Sequence, residues 1–504
     1  MKLSPERRLD LAVAACAAVV YLGALWNGFA LDDRPQVVFN PLLADWSGIW
    51  RAFSASWWAS GFGGQYYRPL TVATLVLDAR LDGAPWFHLV NVLWHVAATL
   101  TVAALARRWA GARAGLIAGL LFAVHPVHVE AVANVVGRGE LMAALWTLLA
   151  VYAAVVRESP AWSGVALACG LLSKENAAVA PALVASAWLL GVGVTRPPRR
   201  TMVALAAAWA AAGGAYAVAR WAVLHTHTGF ADIAPVFQGA DALSVRLTAA
   251  AALADVARLL VFPLTLRVDY SLQERTLVSS VLDTRFLAGV LCAAIWAALV
   301  AVAWRRGRRV EAYGLVWVAV ALVPVANLLF PVGVLVAERT LYLPSAGFAV
   351  AAGAWLGGLR GRLAPVLVGL GLLAAAVRTA WRVPVWRDDT TVTVSILADS
   401  PRSYRGPQYA AALLQAARNP ARALAYYRAA LALYDRDSRL FIGAADAALA
   451  LGQPALADTL LRRAAAVCGR CSANYLNQAG GARARGDSSI ADSLLARAGR
   501  MESP

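Results

Sequence analysis

The segment LDLAVAACAAVVYLGALWNGFALDDRPQVVFNP, residues 9–41, joins an apolar run to two adjacent carboxylates, Asp32 and Asp33. An apolar run of about 20 residues can cross roughly 30 Å of hydrocarbon as a helix. The two acids then stand where the chain leaves the membrane. Similar runs recur along the 504 residues, and 60% of the chain is hydrophobic, 15% charged, with mean hydropathy +0.59. That is more apolar than soluble domains are. The net charge of +17 does not argue for nucleic acid, because the arginines sit in short clusters between apolar runs. Such clusters set topology under the positive-inside rule. MKLSPERR gives the first run a basic start, but no A-x-A-like site closes it and further runs follow, so a cleaved signal peptide is disfavoured. Cys16, Cys169 and Cys292 fall in apolar segments and are expected to pack as small hydrophobes.

With the N-terminus inside, eleven spans alternate in direction: 11–29, 86–106, 114–124, 141–156, 161–172, 177–194, 202–224, 286–303, 313–327, 345–359 and 364–381. A long outer loop follows the first. The basic turns RRWAGAR (107–113), TRPPRR (195–200), WRRGRR (304–309) and RGR (360–362) then all face inward. Counting 247–266 as a further span would put WRRGRR outside, against the rule. That segment also carries Asp255, Arg258 and Pro263, so it is expected to lie as an amphipathic helix on the outer interface.

Near Arg387 the composition turns to a soluble helical pattern, which divides the chain into residues 1–386 and 387–504. ARNPARALAYYRAAL, LALGQPALADTLLRRA and ARARGDSSIADSLLARA align on Asn419, Gly452 and Gly486, at spacings of 33 and 34. This is the period of tetratricopeptide repeats, and three units are about the fewest that stack stably. Generic Ala-rich helical hairpins are the alternative. Cys468 and Cys471 form one C-x-x-C without a second pair, which favours a local disulfide over zinc. The fold class is therefore all-α: a polytopic membrane helical bundle followed by a soluble α-solenoid.

By this topology the distinctive polar residues lie on the outer face. They are Asp32 and Asp33, then YYRPL in the same loop, His125, His128, Glu130, Arg138 and Glu140, Lys174 and Glu175 in SKEN, and Glu338 and Arg339 in VAERTLYLPS. Ionised groups near membrane depth cost a few kcal/mol and usually face a polar cavity with partners. Four loops at one depth suggest one cavity, suited to a substrate with a lipid tail and a polar head. Taken singly, each feature has a plainer reading. The aspartates can be solvated interfacial charge, and His125 a satisfied histidine at a helix end. His125, His128 and Glu130 can ligate a metal, although no spacing settles a metal requirement. SKEN can be a helix boundary with a local ion pair, and the aromatics of SASWWASGF and GQYYRP belt residues.

The fragments LDDRPQVVFNP, YYRPLTVATLVLDARL, PWFHLVNVLWH, LFAVHPVHVEAVANVVGRGELMAA, LLSKENA and ANLLFPVGVLVAERTLYLPSAGF occur in order from Asn27 to Ala351. Together they resemble the transmembrane and tetratricopeptide-repeat-containing O-mannosyltransferases, polytopic glycosyltransferases of the GT-C class. The resemblance implies inverting transfer of a sugar, typically mannose, from a polyprenyl-phosphate donor to a protein hydroxyl. It places the catalytic acids at Asp32 and Asp33. Arg138, Lys174 and Arg339 become candidates for the donor phosphate. His125, His128, Glu130, Glu140, Glu175 and Glu338 become lining or orienting residues, with Glu175 and Glu338 expected to hold the cations beside them. The implied setting is a bacterial inner membrane, N-terminus cytoplasmic and repeats periplasmic, with a protein or peptide acceptor bound by the tail. A transporter or flippase with a docking tail is the main competing reading.

Overall fold

The computed structural model describes residues 4–58, 66–81, 83–193, 197–225, 233–468 and 488–502, together with 472, 475, 476 and 479. Every regular element among them is helical. The chain forms two compact units, one of Met1–Val268 with Leu277–Val392 and one of Asp269–Thr276 with Thr393–Pro504. The first unit thus extends to Val392, where composition alone places the change at 387.

Among the described residues of the first unit six helical stretches are long and apolar enough to cross a membrane: Glu6–Trp26, Ala84–Ala110, Val135–Val155, Arg199–Leu224, Thr284–Arg305 and Leu363–Trp386. A bent pair, Ala112–Val124 with Pro126–Ala133, makes up to seven. The bend falls at His125-Pro126, where proline can neither donate to the helix nor let the preceding residue stay helical. At the other four expected positions stand shorter helices of 10 to 16 residues, Pro160–Ser173, Ala180–Leu189, Arg309–Leu322 and Tyr342–Gly357. Segment 247–266 is not one helix. It breaks between Ala242–Ala251 and Leu253–Val261, and ends before Pro263.

The shorter helices pack in the interior, and small residues let them approach. A Cβ on Gly314 would lie 2.5 Å from the Gly347 carbonyl oxygen, and one on Gly347 equally close to that of Gly314. Close backbone approach of this kind replaces the hydrophobic drive that lipid does not supply. Arg199–Leu224 and Leu363–Trp386 instead expose large apolar side chains, Trp221 at 67% and Trp381 at 80%. Helices apolar on their exposed faces need an apolar surrounding. The chain is a multi-pass membrane protein.

The long loop after the first span is itself structured. Pro69–Asp78 is a buried helix started by Pro69, and a short π-helical turn, Arg34–Val38, follows the two aspartates.

The second unit stacks Arg405–Ala416, Pro420–Leu433, Ser438–Ala450, Pro454–Val467 and Ser488–Glu502. Asn419 and Gly452 fall in the same inter-helix turn of two successive hairpins, Gly452 at φ +71°, where glycine is favoured. Gly486 lies outside the described residues. The hairpin core is made of alanines with Leu424, Tyr427, Phe441 and Leu461. Residues 269–276 strap this unit: the Asp269 carboxylate accepts from Ser403 Oγ at 2.6 Å and its carbonyl from Ser400 Oγ at 2.7 Å. Cys468 is disulfide-bonded, and Cys471 lies outside the described residues. Cys16, Cys169 and Cys292 are free and half-buried.

Candidate functional site

Asp32 and Asp33 are adjacent but face opposite environments, because neighbouring side chains in a turn diverge. Asp33 is fully buried. Its Oδ2 accepts the backbone N–H groups of Ala30 and Val135 at 3.3 Å each, and its Oδ1 that of Val136 at 2.9 Å. Burial pushes this carboxyl up to about 7, against the three amides, which lower it, and with a smaller push from Asp32. Asp33 thereby fastens the first loop to the loop at 134–137. Asp32 is exposed. Just before it Leu31 sits at φ +49°, a region L-residues other than asparagine and aspartate rarely enter. Such a residue costs about 1–3 kcal/mol and persists only where surrounding contacts enforce it.

Three cations form one network, in which Arg339 feels the charge of Asp32, and each is held by a carboxylate from another part of the chain. Arg339 pairs through Nη1 with Glu130 Oε1, and its backbone N–H donates to Glu130 Oε2 at 2.8 Å. Lys174 Nζ pairs with Glu140, whose other oxygen accepts from Asn176 Nδ2 at 3.2 Å. Arg68 donates from Nε and Nη2 to Glu175 Oε2 at 3.2 and 3.0 Å, and its guanidinium lies 4.6 Å from the Tyr66 ring centre and 5.5 Å from that of Trp57. Glu175 Oε1 is buried and meets no hydrogen-bond donor among the described residues.

The charges act as one network. Glu130 foremost, then Asp32 and Glu140, hold the Arg339 guanidinium charged more firmly than usual despite its burial. Burial draws the Lys174 ammonium down, as do Arg68 and Arg339, with Glu140 opposing them. Burial alone would raise Glu175, but Arg68 and Lys174 hold it below its ordinary value. Glu130 and Glu140 are nearly inaccessible, at 2% and 4%. Removing one partner of such a pair leaves a buried charge uncompensated and costs about 3–5 kcal/mol, less where the partner is partly exposed.

The ion pairs of Lys174 and Arg339 run to Glu140 and Glu130, which come from other parts of the chain. Glu338 accepts the backbone N–H of Arg267 at 2.5 Å. Glu175 bonds Arg68 directly, and Lys174 acts on it only as a nearby charge. Adjacent residues in helical turns do not face each other.

Arg138 is engaged in the core. It is fully buried, pairs with Asp78, and donates to Asn91 Oδ1 and to the Phe87 carbonyl at 2.8 Å each. It pins the Ala84–Ala110 helix and does not reach the network.

The histidines belong to the core. Val127 N–H donates to His125 Nδ1 at 3.3 Å, so Nε2–H donates to the Leu260 carbonyl at 3.0 Å. His128 Nε2 meets Ser345 Oγ at 2.6 Å, and its ring packs against Phe122 and Tyr342. Among the described residues no three His, Cys, Asp or Glu side chains converge as metal ligands. His125, His128 and Glu130 therefore do not form the metal set that their spacing allowed.

Arg68, within YYRPL of the outer loop, joins the network although the sequence assigns it no role of its own. Its signal was YYRP, an arginine between aromatics and a helix-starting proline.

Residues 82–221 match a family described as dolichyl-phosphate-mannose-protein mannosyltransferase. A Caenorhabditis elegans protein O-mannosyl-transferase, F38B6.6, is 28% identical over 67% of this chain and 50% of its own length. Mouse protein O-mannosyl-transferase TMTC4 is 28% identical over 79% of this chain and 63% of its own. Drosophila protein O-mannosyl-transferase Tmtc2 reaches 44% identity over a shorter stretch, 26% of this chain and 15% of its own. Over two thirds or more of its length the chain is therefore similar to protein O-mannosyl-transferases. It spans half to just under two thirds of the length of the first two relatives. A crystal structure of ArnT from Cupriavidus metallidurans bound to undecaprenyl phosphate covers 93% of this chain and 79% of its own at 16% identity. The TM-score between the two is 0.40.

Proposed function

We propose that the protein is a membrane glycosyltransferase that moves mannose from a polyprenyl-phosphate donor to a hydroxyl of a protein acceptor on the extracytoplasmic face. The observation that carries this reading is the exposed Asp32 beside Arg339, within a network that also holds Lys174 and Arg68. Asp32 takes the proton of the acceptor hydroxyl as its oxygen attacks the anomeric carbon. The bond from that carbon to the phosphate oxygen breaks with inversion, and its electron pair stays on the leaving polyprenyl phosphate. Arg339 and Lys174 stabilise the charge growing there, Arg through its bidentate fork and Lys as a point charge. Glu175 Oε1, which meets no donor among the described residues, suits a sugar hydroxyl.

Eleven alternating spans, with the N-terminus cytoplasmic in a bacterial inner membrane, would set the network outside and the arginine-rich turns inside, as the positive-inside rule requires. The paired helices of the second unit support a tetratricopeptide-type stack, whose concave face suits an extended acceptor peptide.

The test is proteoliposomes bearing the full chain, labelled polyprenyl-phosphate mannose and a periplasmic protein extract. Label transferred to protein is the expected result. Label that crosses the bilayer without joining protein would overturn this reading in favour of a transporter.

A further inference from the structure

The turn that presents Asp32 is held from behind by a second pair of adjacent acids, Asp388 and Asp389, at the end of the last span. Asp389 Oδ1 accepts the backbone N–H of Leu31 at 2.7 Å, and its Oδ2 pairs with Arg34 Nε. One carboxylate thus grips the residues on both sides of Asp32-Asp33. Further contacts between the same stretches reinforce it. Gly28 N–H donates to the Arg387 carbonyl at 2.8 Å, and Asn27 Nδ2 to that of Val383 at 3.2 Å. Gly28 fits here for lack of a side chain, since a Cβ would meet the Arg387 oxygen at 3.3 Å. Leu31, at φ +49°, is the residue whose backbone most needs such a restraint.

Asp388 is occupied differently. Its Oδ1 accepts from Thr391 N at 2.8 Å and its Oδ2 from Arg387 Nε at 3.1 Å. It fixes the local turn, which leaves Asp389 as the member aimed at the first loop.

We propose that Asp389 is a positioning residue for the reaction, which holds the Leu31–Arg34 turn so that the Asp32 carboxylate faces Arg339 and the attacking hydroxyl. The inference rests on the reading of Asp32 as the base. Displacement of a catalytic group by about 1 Å can lower a rate roughly 100-fold without weakening substrate binding. Asp389 touches neither donor nor acceptor in this account, so its loss appears in kcat and not in the donor KM.

The experiment compares Asp389→Ala, Asp389→Asn and Arg34→Ala in the full chain. Asp389→Ala should lower kcat about 10- to 100-fold with donor KM within about twofold of wild type. Asp389→Asn keeps an acceptor for Leu31 N–H and should recover part of that loss. Arg34 is 48% exposed in its side chain, so Arg34→Ala should cost about threefold or less. A second readout does not depend on turnover: the rate at which an impermeant thiol reagent labels Asp32→Cys, with and without Asp389→Ala. The clasp predicts a labelling rate changed severalfold. Wild-type kcat in Asp389→Ala, or a lowered kcat with unchanged labelling at position 32, would overturn the proposal. Full activity in Asp32→Asn would defeat the reading of the base instead, while the labelling rate still reports on the clasp.

Discussion

The two ends of the first unit carry charge in opposite ways. At one end the turns 107–113, 304–309 and 360–362 are rich in arginine, and Arg305, Arg306, Arg308, Arg309, Arg360 and Arg362 are exposed. Arg113 donates to the Leu359 carbonyl at 3.0 Å, and Arg107 meets the partly exposed Asp10 at 2.6 Å. At the other end Arg68, Lys174 and Arg339 are drawn in against Glu175, Glu140 and Glu130. Charge that only sets orientation can stay in water. Charge kept out of water at a cost in solvation must be held by partners, and an exposed acid left beside it marks a place for chemistry.

The sharpest way to break this comparison is to ask which side of the membrane each end faces. Arg306→Cys should be shielded from an impermeant thiol reagent in intact cells, whereas Thr459→Cys in the second unit should react. The reverse pattern would place the acid–base network on the cytoplasmic face.

Next in size is the contrast between arginines. Arg339→Ala should lower turnover about 100-fold or more, because one fixed donor to developing charge is worth roughly that much. Arg339→Lys should recover only part, since the fork to Glu130 and phosphate is lost. Arg306→Ala, at the basic end, should leave turnover and melting temperature within error. Lys174→Ala should cost about tenfold to 100-fold in turnover, and its donor affinity should fall with it. Steady-state kinetics in nanodiscs reads all of these, and equal effects at the two ends would dissolve the comparison.

The smallest effect is on pH dependence. Burial raises the Asp33 carboxyl to about 7 from an ordinary value of 3.8. A carboxyl raised by folding binds its proton more tightly when folded. Its contribution to stability is complete below about pH 3.8 and is lost as pH rises through about 7. Asp33→Asn cannot titrate, so the fall in melting temperature across that window should flatten by about a few degrees. An unchanged slope in detergent would show that Asp33 is not the group responsible.

Much of this was legible in the sequence, and the reason lies in which interactions are local. Apolar runs announce helices, and alternation of basic turns sorted the polar loops to one end, so Asp32, Lys174 and Arg339 could be brought together on paper. Their partners could not. Lys174-Glu175 and Glu338-Arg339 look like pairs, yet adjacent side chains diverge, and Glu140 and Glu130 arrive from elsewhere through helix packing. Arg138 opens the Arg138–Val155 helix, and whether it faced the site or the core depended on Asp78 and Asn91 in other helices. Asp389 sat in what composition marks as a domain boundary, and only the folded chain returns it to Leu31.

The central claim is that the exposed member of the first acidic pair does the chemistry and the buried one builds the turn. The direct measurement is mannose transfer to protein by Asp32→Asn and Asp33→Asn, each shown to be folded by its elution and melting profile. Removal of a catalytic base predicts a fall of about 100- to 10,000-fold in kcat for Asp32→Asn with donor KM little changed. Asp33→Asn should retain more activity. Wild-type turnover in Asp32→Asn would contradict the account.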